Sequence, residues 1–317
     1  MADRDPDDRR DGDDWGNRDD RGDGNGEEWA SGDDDRSEEL SSNGGSPDPA
    51  GAAPGGTDGR LTIKGLLSTT AVSAAVLLLG VAVGMVGLVA SITVLSVGFG
   101  MGFDTGQNVT VLIVLQLVLL QGVGFGVASL AYLRYRGLGL EYLRTRSPTW
   151  SDVKWVVGIF VASFAILIAG NLFLSALGLG GEGHSIAETA SGNPEILLAL
   201  IPLSFLLIGP GEELLFRGVI QNAFVDRIGV RSGIAASSAF FVLIHLPNYS
   251  GLEGLPTLGL LFVISLTWGY AYERTDSLFV PAMAHAAYNA TQFGLLYITL
   301  KYAPETSSAL LSSALLL

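Results

Sequence analysis

From about residue 61 onward, apolar residues run in blocks long enough to cross a membrane, and short polar stretches separate them. A hydrocarbon core of about 30 Å takes roughly 20 apolar residues of helix, with latitude for tilt. The pattern predicts spans at 66–98, 108–133, 155–178, 195–222, 231–247, 256–272 and 277–299. An eighth is accommodated if a short re-entrant piece is merged with its neighbour. The first block is too long for one simple span, and is expected to overrun the bilayer or to break near its glycines. The expected fold is an all-α, polytopic transmembrane helical bundle of seven to eight spans over residues 61–317.

Residues 1–60 carry 19 Asp and Glu against 7 Arg and almost no apolar side chains. Such a segment buries too little surface to offset its chain entropy, so it is expected to be a disordered acidic tail, a solvated extension with Trp15 and Trp29 as its only aromatic residues. The net charge of -14 therefore belongs mainly to the tail, because the other 257 residues hold 13 acidic and 11 basic groups. No cleavable leader is expected ahead of it. Acidic residues in excess, with only Lys64, Lys154 and Lys301 as lysines, resemble the composition of proteins from salt-loving archaea. The absence of cysteine excludes disulfides, thiolate metal sites and a cysteine nucleophile. No nucleic-acid partner is expected; the bilayer is the expected surroundings.

Loop cations set an orientation. Arg60 and Lys64 precede the first span, and Arg134, Arg136, Arg144, Arg146 and Lys154 lie between the second and third. Arg217, Arg227 and Arg231 are read as following the fourth span, and Arg274 the sixth. With the N-terminus cytoplasmic, all of these face the cytoplasm and only Lys301 lies outside, as the positive-inside rule asks. The loops at 99–107, 179–194 and 248–255 are then external. The last holds a glycosylation sequon, Asn248-Tyr249-Ser250.

Three polar clusters interrupt the apolar blocks: Glu212-Glu213 with Arg217, Phe241 with His245, and His285 with Asn289. Ionisable groups in lipid are costly, which makes each cluster a candidate site. The third histidine, His184, lies in a glycine-rich polar loop without an assigned role. Gly209-Pro210-Gly211 is expected to end one helical segment and start another. The carboxylates of Glu212 and Glu213 would then sit in a first turn, where the helix dipole favours them. Neighbours on a helix point about 100° apart, so the two glutamates face different ways. Glu213 and Arg217, four apart, are expected to pair as a structural clamp, leaving Glu212 to point into the site. Phe241 with His245 and His285 with Asn289 are also four apart, so each pair shares a helix face. Phe241 is read as packing; Tyr288, Gln221 and Asn222 are polar neighbours read no higher than helix packing.

A carboxylate, two imidazoles and an amide suffice for hydrolysis. Glu212 and one histidine can hold and deprotonate a water, while the other histidine and the amide donate hydrogen bonds to a tetrahedral oxyanion. Alternatively, His245 and His285 with Glu212 would hold a zinc ion that activates the water. The His-Glu-x-x-His arrangement of zincins is absent. Helix-to-helix hydrogen bonding is the plain reading of any one of these residues alone.

The ordered set Glu-Glu-x-x-x-Arg, Phe-x-x-x-His and His-x-x-x-Asn, each in an apolar helix, resembles the CPBP family of intramembrane proteases. That family includes the type II CAAX prenyl endopeptidases and the Abi or bacteriocin-processing proteins. The resemblance covers roughly residues 200–295. It implies Glu212 as the base that activates water, His245 as its partner in holding that water, and His285 with Asn289 as oxyanion stabilisers. Glu213 and Arg217 match family positions. The implied activity is endoproteolysis of a membrane-associated, prenylated or unmodified, protein or peptide that enters laterally, in a site opening toward the cytoplasm beside Arg217. Two other classes compete: a non-catalytic membrane scaffold or immunity protein, and a transporter binding an ion at the broken helix. No second Gly-Pro break with a carboxylate occurs in 66–178, which ranks the transporter last.

Overall fold

The computed structural model describes residues 62–98, 108–179, 185–249 and 254–303. The acidic tail, His184 and Ser250 of the sequon lie outside the described residues. The chain divides into two units, Met1–Pro54 and Gly55–Leu317, and every described residue belongs to the second.

Each predicted span corresponds to a helix, and no strand occurs among the described residues. Six helices are long and apolar enough to cross a membrane: α1 (Ile63–Val97), α2 (Val109–Arg136), α3 (Trp150–Ala176), α5 (Ile196–Ile228), α6 (Val230–Asn248) and α7 (Leu255–Thr275). The seventh expected span is α8 (Phe279–Tyr302), which has the length. Its hydropathy is held below that of the six by His285, Asn289, Gln292 and other polar residues. The predicted loop at 179–194 contains a short helix, α4 (Ser185–Gly192). Its Ala190 is buried, and Ile186 and Ala187 pack with it against Ile196, Leu197 and Leu200 of α5, an apolar contact that a window sized for membrane spans passes over.

Local chemistry sets the helix ends. Thr62 accepts the Gly65 amide at the start of α1. Thr149 and Asp152 form a capping box at the start of α3, satisfying amides that have no intrahelical partner. Asp152 also receives both arms of Arg146, at 2.8 and 2.7 Å, while Arg146 reaches the Thr275 carbonyl at 2.8 Å. The loop between α2 and α3 is thereby stitched to the end of α7.

Helices pack closely where side chains are missing. A Cβ on Gly124 of α2 would lie 2.3 Å from the Gly80 carbonyl oxygen of α1. This is the small-residue contact that lets membrane helices approach. Leu78 and Val86 of α1, Phe173 of α3 and Leu206 of α5 remain exposed on the outside of the bundle, as a lipid-facing belt requires. By contrast, α7 and α5 are the most buried of those six.

Gly209-Pro210-Gly211 does not break the fourth block. Instead α5 is continuous from Ile196 to Ile228, with wide π-type turns over Ser204–Ile208 and Leu214–Gln221. The Gly209 amide bonds back five residues to the Ser204 carbonyl. Widening the turns on both sides absorbs the donor that Pro210 lacks. Glu212 and Glu213 therefore sit in mid-helix rather than in a first turn, and the dipole argument for their placement does not apply.

Candidate functional site

The two carboxylates of α5 diverge as their spacing requires. Glu213 and Arg217 are both fully buried and pair at 3.1 Å from Oε2 to Nε. Arg217 also donates from Nη2 to Ser265 Oγ at 3.0 Å and carbonyl at 3.3 Å on α7, and lies over the Phe241 ring at 5.2 Å. Arg217 is therefore a core residue, not a loop cation. Its expected place among the charges at the membrane surface is corrected, because a buried partner at i−4 offsets the cost of taking the guanidinium out of water.

Glu213 does more than clamp Arg217. Its Oε1 lies 3.0 Å from His285 Nδ1, 72 residues away on α8. That contact fixes the imidazole with Nε2 turned toward Glu212, whose Oε2 is 3.9 Å away. The separation is too long for a direct hydrogen bond. The other oxygen of Glu212 accepts from Gln121 Nε2 of α2 at 2.7 Å. Oε2 of Glu212 is buried and has no hydrogen-bond partner among the described residues.

An aromatic wall holds the histidines. The His285 ring stacks on Trp268 at 4.1 Å and 17°, and Trp268 is anchored by its Nε1–H donating to Ser163 Oγ at 3.1 Å. Phe241 packs edge-on against Phe216 and Trp268 and lies 4.6 Å from the His245 ring. Phe241 is fully buried among these rings. His245 Nδ1 donates to the Phe241 carbonyl at 2.7 Å, since a carbonyl can only accept. In the neutral ring Nε2 is then the acceptor.

These groups meet in one cavity of about 750 Å³, whose wall includes Glu212, Phe241, His245, His285 and Asn289. The four residues expected to act on substrate are therefore brought together, while Glu213 and Arg217 stand behind the wall. The sequence reading missed Gln121, Gln116, Trp268 and Gln292, which also line it. Only the unusual placement of glutamines in an apolar block could have flagged Gln121 and Gln116. Tyr288 lines the cavity, but Gln221 and Asn222 do not: they bond to Glu273 and Gly269, and to Tyr142 and Tyr272, in a separate network.

The cavity extends away from Arg217, the residue on which the expected cytoplasmic opening rested. From Glu212 its wall follows α5 back to Leu200 and α8 onward to Phe293, and it reaches Ile186 of α4 and Asn248 at the end of α6. Those positions adjoin the loops at 99–107, 179–194 and 248–255, not the arginine-bearing loops. The expectation rested on Arg217 marking the nearby surface, and Arg217 is buried. As for zinc, no group of three or more His, Asp or Glu among the described residues is arranged to hold a metal ion.

Fold and site together define a polytopic helical membrane protein with a buried carboxylate and imidazole centre. Residues 194–291, the segment bearing all the site's motif residues, match the family model described as type II CAAX prenyl endopeptidase Rce1-like. The chain is also 32% identical over 149 residues to an Escherichia coli protein named "Uncharacterized 24.3 kDa protein", covering 46% of this chain and 64% of that one. It is 27% identical over 140 residues to a Bacillus subtilis (strain 168) protein named "Putative membrane peptidase YdiL", covering 44% and 54%. The chain thus spans less than two thirds of either relative's length. No solved structure gives a significant match.

Proposed function

We propose that the protein is an intramembrane endopeptidase that cleaves membrane-associated proteins with a water activated by Glu212. The observation that carries this reading is the buried Oε2 of Glu212, on a cavity wall shared with both histidines, without a hydrogen-bond partner among the described residues. Leaving a buried charged acceptor unsatisfied costs about 1–3 kcal/mol or more, which a purely structural carboxylate would avoid.

In the proposed reaction a water donates one hydrogen to Glu212 Oε2 and the other to His245 Nε2. Its oxygen attacks the scissile carbonyl carbon as Glu212 takes the first proton. The resulting oxyanion accepts hydrogen bonds from His285 Nε2 and the Asn289 amide. His285 donates there while Nδ1 stays against Glu213, which supplies the counter-charge. Collapse breaks the carbon–nitrogen bond, and Glu212 returns its proton to the leaving amine, giving one new carboxyl and one new amino terminus. The apolar remainder of the cavity, including Leu117, Leu120 and Ile208, suits a substrate segment arriving from lipid. The family description names a prenylated, CAAX-type tail, which takes its place in a panel beside other membrane-anchored segments.

The scaffold reading predicts that Glu212 is dispensable for partner binding. The transporter reading depended on a helix broken at Gly209-Pro210-Gly211, and α5 is continuous there. The deciding experiment compares wild type with Glu212→Gln on a panel of membrane-anchored and prenylated peptides, with and without a zinc chelator. Glu212→Gln is expected to lower cleavage roughly 10²- to 10⁴-fold, the usual worth of a general base, with the chelator without effect. Chelator-sensitive cleavage would replace the residue-held water by a metal-held one. Equal cleavage by wild type and variant would remove the proteolytic reading.

A further inference from the structure

We infer that the site is reached from the extracytoplasmic side of the membrane. Its substrate is then a segment of a membrane-anchored protein displayed on that side; the access side follows from geometry and charge, while the word substrate rests on the proteolytic reading above. Two independent observations meet here: the direction of the cavity and the distribution of charge.

Every spanning helix that contributes acidic, imidazole or amide groups to the wall carries it away from the arginine-bearing loops. On α2 the wall runs from Phe125 back to Ile113, on α7 from Trp268 back to Leu261, and on α8 from His285 on to Phe293. The rim is formed by Ile186 and Thr189 of α4 and by Asn248. On the other side the bundle is closed. Arg217 and Glu213 fill the level below Glu212 with no exposure. Beneath them Gln221 bonds to Gly269 and Glu273, Arg144 pairs with Glu273, and Arg146 binds Asp152 and the Thr275 carbonyl.

The charges divide along the same axis. The connections on the closed side bear Arg134, Arg136, Arg144, Arg146, Arg227, Arg231 and Arg274. Among the described residues, those on the cavity side bear Glu188 and Glu195, with Lys301 as the sole cation, paired to Glu195. Removing the buried Arg217 from the count leaves the asymmetry intact. Cationic loops stay in the cytoplasm, so the open end faces away from it. A soluble cytoplasmic tail would have to cross the closed level of Glu213 and Arg217 to reach Glu212, whereas an exported or outer-leaflet segment meets the rim directly.

The chain has no cysteine, so a single introduced thiol reports its own side. Gln116→Cys on the cavity wall and Thr189→Cys at the rim are expected to react with a membrane-impermeant maleimide in intact cells. Arg231→Cys is expected to react only after permeabilisation. The reverse pattern overturns the inference, as does a Gln116→Cys that stays unreactive in intact cells yet reacts once the protein is denatured. For any peptide or reporter that the Glu212→Gln comparison shows to be cut, full modification of Gln116→Cys from outside should abolish cleavage; undiminished cleavage would likewise overturn it. The labelling pattern does not depend on proteolysis, so the access side and the enzymatic reading fail separately.

Discussion

Glu213 holds two partners from different helices, Arg217 on one oxygen and His285 on the other. Breaking a buried ion pair by removing one member leaves an uncompensated charge, so Arg217→Ala should cost about 3–5 kcal/mol of stability. The check is thermal unfolding in detergent. A Glu213→Leu, Arg217→Met double variant removes both charges and should recover most of that stability while still cleaving poorly, because His285 has lost its holder. Recovery of both stability and cleavage would show that Glu213 acts only as a clamp. Gln121 is the second residue of this kind. Its hydrogen bond to a carboxylate is worth about 1.5–3 kcal/mol; if it positions Glu212, Gln121→Leu should lower kcat by roughly ten- to a hundredfold at little change in KM. A rise in KM with kcat intact would assign Gln121 to substrate binding instead.

At the scale of the helix, the outcome turns on how α5 handles Gly209-Pro210-Gly211. A regular repeat from residue 195 would place side chains at 100° steps throughout, and a proline would be expected to end it. The wide turns on either side keep the helix continuous and rotate its later residues relative to a regular repeat. Gly211 has a further use, since a Cβ there would lie 2.4 Å from the Gln121 carbonyl oxygen. The same close approach that brings α2 against α5 thus delivers the Gln121 amide to Glu212. Gly211→Ala is expected to push α2 outward and reduce cleavage along with the Gln121 variant, with a smaller loss in the double variant than the product of the two. Strictly multiplicative losses would separate the packing contact from the positioning of Glu212.

For the whole molecule, the belt of exposed apolar residues and the position of the polar centre describe one object, a bundle that is dry outside and polar within. A charge on the belt tests this directly. Leu206→Asp places a carboxylate on a side chain with 70% exposure, and should impose about 2.5–3.5 kcal/mol on membrane insertion, read as protein lost from the membrane fraction. Normal insertion would mean that this face of α5 is not against lipid. The sequence by itself determined the spans and the loop charges, and it singled out Glu212, His245, His285 and Asn289 as candidates. Each of these rests on a local property: the cost of putting a polar group into a run that lipid must solvate. Only the tertiary structure decided that Glu213 reaches His285, that a glutamine 91 residues away holds Glu212, that Arg217 is buried, and which end of the bundle is open. Those depend on distances between helices and on the turn-by-turn rotation of α5, and both are set by packing between segments far apart in the chain.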